Sequence, residues 1–182
     1  MTIQEKYKLN RPILKDGDVI FFSGIGIVAR IIRWCDNSKY SHIGIIVEKH
    51  GALFIVDANA SGVQADRLSW RIKKYDAGAD FTVVRSLESQ VKIDSEMYHL
   101  LRRSDEKWIK YDFKNGIKEL CNRKFGTHFK IYLNDERDIC SDFISQYQIY
   151  LEMVTDVFKD KTIVFPEDGL RYINNKNVSI VV

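Results

Sequence analysis

SHIGIIVEKHGALFIVDA, residues Ser41 to Ala58, decides the fold. Two β-rich apolar runs, Ser41–Val47 and Leu53–Ala58, flank the turn-like EKHG, which is a hairpin signal. His42 sits inside an otherwise apolar strand, where alternation sets it on one face with Gly44 and Ile46. A buried imidazole there needs a hydrogen-bond partner. A four-residue loop Glu48–Gly51, with Gly51 in the left-handed position, pairs Val47 with Ala52 and sets His42 opposite Asp57. The inference hangs on register, because a one-residue slip sends Asp57 to the other face.

On the N-terminal side, Asp18–Ser23 (DVIFFS) is a short apolar run between Gly17 and Gly24 and reads as a buried strand. GIGIVARIIRWCD follows, with Val28, Ile31, Ile32 and Cys35 at helical spacing, so an amphipathic helix is expected with these residues packed inward. On the C-terminal side, Gly62–Arg67 and Phe81–Arg85 are further strand candidates. Helices are expected over Ser95–Arg103, capped by Asp94, over about Asn115–Arg123, and over Ile139–Met153. Thr162–Phe165 and Val178–Val182 read as late strands. Strands in the first half and helices in the second argue for an α+β domain rather than a wound parallel sheet.

The 182 residues are expected to form one domain, 1–182. A net charge of +3, with basic residues scattered among acids, is too small for a nucleic-acid reader. No stretch approaches about 18 apolar residues and the N-terminus shows no signal-peptide core, so a cytoplasmic protein without stable membrane insertion is expected. Three cysteines with no CxxC pair suggest free thiols, and no His/Cys/Asp cluster has metal-ligand spacing.

The question is then which thiol reacts. Cys35 follows Val28, Ile31 and Ile32 at core spacing, and Cys121 follows Ile117 beside Leu120, so both read as helix packing. Cys140 stands at the front of its expected helix, just after NDERD, where free backbone N–H groups and the helix dipole favour a thiolate. The same N–H groups are suited to stabilising an oxyanion. His99, His50 and His128 lie in a charged helix, a turn and a segment with no evident partner, and read as solvated or packed side chains. His42 held by Asp57 reads either as a core histidine satisfied by a nearby acid or as the base and orienter of a Cys–His–acid set.

In their order, LKDGDVIFF, KYSHIGIIVE, FIVDANASGV, WIKYDF and DICSDFISQYQ resemble the circularly permuted branch of the NlpC-type, papain-like cysteine peptidase superfamily. The nearest likeness is to its YiiX-like amidase group, in which the histidine strand precedes the cysteine helix. The resemblance implies a permuted papain-like fold, with an antiparallel, partly barrel-like sheet packed against the nucleophile helix. It implies Cys140 as nucleophile, His42 as base and Asp57 as orienter, with Tyr111 and Ser41 binding substrate and no cofactor. Asp57 departs from the Glu or His frequent in relatives, and the stretch between Asp112 and Cys140 is long.

The implied activity is hydrolysis of amide bonds, peptide or N-acyl, through a Cys140 thioester. The alternatives are a lipid acyltransferase or phospholipase of the same superfamily, with Trp34, Tyr40 and Trp108 lining an acyl groove, and a silent papain-like binding module.

Overall fold

The hairpin that dominates the sequence also lies at the heart of the sheet. A computed structural model describes residues 1–59, 62–75, 78–86, 110–111, 113–130, 137–138 and 178–182. In chain order these form α1 (Ile3–Asn10), β1 (Val19–Ser23), α2 (Ile27–Asp36), β2 (His42–Lys49), β3 (Ala52–Asn59), β4 (Gly62–Arg67), α3 (Leu68–Lys73), β5 (Asp80–Ser86), β6 (Lys110–Tyr111), α4 (Phe113–Phe125), β7 (Arg137–Asp138) and β8 (Val178–Ile180). The expected helices Ser95–Arg103 and Ile139–Met153 and the strand Thr162–Phe165 lie outside the described residues, as do Cys140, His99 and Trp108.

The fold is α+β. Six strands pair in the order β4-β3-β2-β1-β5-β8, and every pairing between them is antiparallel. Among the described residues the sheet stays open, with β4 and β8 at its edges, which corrects the partly barrel-like expectation. A separate parallel pair joins β6 to β7, with Tyr111 opposite Asp138, and both strands lie against β4.

The hairpin differs from expectation in its turn. His50 and Gly51 both take left-handed backbone angles, φ 52° and 71°, and Lys49 pairs with Ala52. The loop therefore has two residues, the form whose twist matches the flanking strands. Val47 pairs with Phe54 instead of Ala52, a shift of two. An even shift preserves the face, so His42 and Asp57 still point the same way.

One face of the sheet carries Ile20, Phe22, Ile46, Leu53, Ile55, Phe81 and Val83, which form a core with Ile3 and Tyr7 of α1 and Leu68 and Ile72 of α3. The opposite face is apolar too, with Phe21, Ile43, Ile45, Val47 and Val56 all buried. This explains why β2 and β3 read as nearly continuous hydrophobic runs. Helix α1 opens with a capping box in which Thr2 and Glu5 satisfy each other's backbone N–H groups. The signal TIQE is in the sequence and was not among the expected elements.

Helix α2 runs against expectation in its orientation. Val28 and Ile31, assigned to the core by spacing, are exposed, as are Ile27 and Trp34, and the one buried residue of the helix is Asp36. Its inner side meets α4, where Arg123 pairs with Asp36 at 3.5 Å and the rings of Trp34 and Phe125 lie 5.7 Å apart. Cys35 and Cys121, on these two helices, are free and partly buried.

Candidate functional site

The site begins where the polar residues interrupt the core face. His42 opens β2 directly opposite Phe22 of β1, and the two rings stack with centroids 6.1 Å apart. Continuing the β2–β3 register past Ile45–Val56 brings Asp57 opposite Gly44, so Asp57 reaches His42 diagonally across the strand pair. Gly44 leaves room for β3 at this point: a Cβ there would stand 2.6 Å from Ile55 Cδ1 and 3.2 Å from the Val56 carbonyl oxygen.

Asp57 is fully buried, and its two oxygens have different partners. Oδ2 lies 2.7 Å from His42 Nε2, and Oδ1 accepts from Arg71 Nη2 at 2.6 Å. Burying a carboxylate is costly unless it is paired and hydrogen-bonded, and here both oxygens are. The His42 side chain keeps 18% of its surface exposed, so the ring connects a buried anion to the surface. An Nε2–H donated to Asp57 leaves Nδ1 as the basic nitrogen.

Arg71 comes from α3, which covers the core face. Its guanidinium also lies 3.2 Å from Asp66, itself 3.5 Å from Lys74, and its buried Nε has no hydrogen-bond partner among the described residues. The expected site set did not include Arg71. The signal was weak, because WRIKK reads as an ordinary cationic helix face.

Ser41, expected to bind substrate, is buried and engaged locally. Its hydroxyl accepts from the Gly24 N–H at 3.1 Å and lies 3.3 Å from the Phe22 carbonyl oxygen, tying the end of β1 to the start of β2. Tyr75 stacks on Phe22 at 4.6 Å and extends the aromatic wall beside His42. The backbone of Tyr111 pairs with Asp138 in the small parallel sheet. Of the aromatics proposed for an acyl groove, Tyr40 is buried against Phe21 and does not line an open surface, whereas Trp34 is exposed.

Of the described thiols, Cys35 differs from a reactive one. Burial pushes the Cys35 thiol up, the neighbouring Cys121 and Asp36 add to this, and Lys124 opposes it. Such a thiol is less ionised at neutral pH than an ordinary cysteine.

The sequence matches no protein-family model, and no curated protein matches it. Solved structures do match. The crystal structure of the metalloprotein yiiX from Escherichia coli O157:H7 superposes with a TM-score of 0.54 at 19% identity, over 91% of this chain and 88% of that one. The fold is YiiX-like. At this identity the YiiX likeness is one of architecture.

Proposed function

We propose that the chain is a cysteine-dependent hydrolase of amide bonds, peptide or N-acyl, with the circularly permuted papain-like arrangement and Cys140 as nucleophile. The observation that carries the reading is the buried contact between His42 and Asp57 on one sheet face, with the imidazole reaching the surface. Chain connectivity adds support: Asp138, against β4, is two residues before Cys140, and two residues span at most about 7 Å. The YiiX-like fold agrees with it.

In this reading His42 Nδ1 takes the thiol proton, and the thiolate attacks the amide carbonyl. The tetrahedral oxyanion is held by backbone N–H groups at Cys140, with Tyr111 in reach of the substrate. Collapse breaks the C–N bond as His42 protonates the departing amine, leaving a thioester on Cys140. His42 then takes a proton from water, whose oxygen attacks the thioester, and the acid departs as the thiol is reprotonated. Asp57 fixes the ring orientation and balances the imidazolium charge, and Arg71 fixes Asp57.

The neighbouring fold is described as a metalloprotein, but these residues do not fit a metal. Among the described residues no three His, Cys, Asp or Glu side chains gather, and both Asp57 oxygens are engaged, one by a cation.

A lipid acyl donor is the second reading, and the exposed apolar side of α2 is the observation that favours it. Incubation with muropeptides, N-acyl amino acids and an acyl-lipid mixture, followed by mass spectrometry of the Cys140 peptide, tests both. A peptide or N-acyl mass on Cys140, absent in Cys140→Ser, supports the amidase. An adduct found only with lipid supports the acyltransferase, and no adduct with any donor counts against both.

A further inference from the structure

Amphipathic helices on a folded domain normally bury their apolar side. Helix α2 presents it outward. Ile27, Ile31 and Trp34 follow one another at four- and three-residue spacing along its exposed side, with Ile27 77% and Trp34 55% exposed. Val28 and Ile25 widen the stripe, and Phe125 of α4, packed on Trp34, continues it onto the next helix. Contiguous exposed apolar surface of this kind marks an interaction site.

Charge selects the occupant. Between Gly24 and Tyr40 the basic residues are Arg30, Arg33 and Lys39, and the single acid is Asp36, which is buried and paired with Arg123. Lys124 donates to the Trp34 carbonyl oxygen at 3.0 Å and holds its ammonium 4.4 Å from the Trp34 ring centroid. Protruding isoleucines and a tryptophan, bordered by cations, are the pattern of a helix that lies in the headgroup layer of an anionic membrane. A protein partner would need an apolar groove bearing acids.

We propose that the outward face of α2, built on Ile27, Ile31 and Trp34 and extended by Phe125, docks the protein on an anionic phospholipid bilayer. Among the described residues no helix is long and apolar enough to cross a membrane, so the docking is peripheral. The inference does not require the thiol chemistry, although it bears on it. The start of α2 adjoins the site: Gly24 bonds to Ser41, next to His42, and packs near Tyr75. A domain lying on α2 keeps the His42 end of the sheet close to the bilayer.

The test is co-sedimentation of the full chain with vesicles of phosphatidylcholine alone and of phosphatidylcholine mixed with phosphatidylglycerol. Binding to the mixed vesicles, weakened by salt, is expected, with a blue shift of tryptophan emission that Trp34→Phe removes. Ile31→Asn lowers the partition coefficient about tenfold or more, and Arg30→Gln lowers it severalfold on the anionic vesicles only. Both substitutions fall on exposed positions, so unchanged urea midpoints show that the fold is kept. Cys140→Ser binds like the parent, which separates docking from catalysis. The proposal is overturned if neither vesicle type pellets the protein, or if Ile31→Asn binds as well as the parent. It is also overturned if the parent is a dimer that Ile31→Asn makes monomeric while vesicle binding is absent.

Discussion

Two buried aspartates on the same sheet are each paired with an arginine, and they are built for different ends. Asp18, fully buried just before β1, gives both oxygens to the Arg85 fork, Oδ1 to Nε at 2.7 Å and Oδ2 to Nη2 at 2.8 Å, and Oδ2 also accepts the Lys15 N–H. Arg85 finishes on the Ile13 carbonyl oxygen, and its pKa is raised, first by the hydrogen bond to Asp18. Asp57 gives Arg71 one oxygen only and turns the other to His42, a side chain whose second ring nitrogen can accept or donate a proton. The bidentate pair locks a turn, and the divided pair holds a movable proton at the surface. A buried carboxylate that withholds one oxygen from its arginine in favour of a histidine marks the candidate site.

The largest expected effect on stability falls on the locked pair. Asp18→Ala leaves Arg85 uncompensated and costs about 3–5 kcal/mol in urea unfolding. Asp57→Ala costs less, about 1–3 kcal/mol, because Arg71 retains Asp66. Equal losses at the two positions would break the comparison.

Gly44→Ala sharpens it, since the added methyl collides with Ile55 beside Asp57 and not with the Asp18 turn. The expected cost is about 1–3 kcal/mol, with loss of Cys140 reactivity. A variant as stable as the parent would show that β3 yields there easily.

Gly51→Ala forces a methyl into a left-handed turn, at about 1–2 kcal/mol, and tests the two-residue hairpin that sets the Asp57 register. Loss of less than half of that would point to a different turn.

The smallest effect is at Asp80. Burial pushes its carboxyl up, but hydrogen bonds from Lys6 and from the Phe81 N–H, with the charges of Lys6 and Lys39, outweigh it and hold it below the usual value. A folded pKa below the unfolded one means stability present above about pH 4 and lost as pH falls through the folded value. Because Asp80 is half exposed, the pair contributes only about 0.2–1 kcal/mol. The Asp80→Asn variant differs from the parent by that amount at neutral pH, and urea midpoints should converge in acid.

Much of the sheet was legible in the sequence because its strands are bounded by glycines and carry β-branched runs: β1 to β5 and β8 lie within two residues of their expected positions. The hairpin loop was misjudged by two residues. Lys49 and Ala52 extend the strands with no strong strand signal, and His-Gly is not among the usual two-residue turn pairs. The pairing of His42 with Asp57 survived that error because face depends on parity. Helix α2 was misread because periodicity shows that one side is apolar and not which way that side points. Arg71 escaped because a cation on a helix reads as surface until the sheet beneath it is known to carry a buried carboxylate. Cys140 and its helix lie beyond the described residues and rest on the reading of NDERDIC.

The central claim is that His42, ordered by Asp57, activates Cys140, and the pH dependence of iodoacetamide alkylation, read peptide by peptide in the native protein, tests it most directly. The account predicts that Cys140 alkylates with an apparent pKa several units below about 8.5, and faster than Cys35, whose thiol burial pushes up. In His42→Ala its rate at pH 6.5 falls about a hundredfold, as the thiolate fraction returns to that of an ordinary cysteine. An ordinary thiol profile for Cys140 in the parent, no faster than Cys35 and unchanged by His42→Ala, would contradict it.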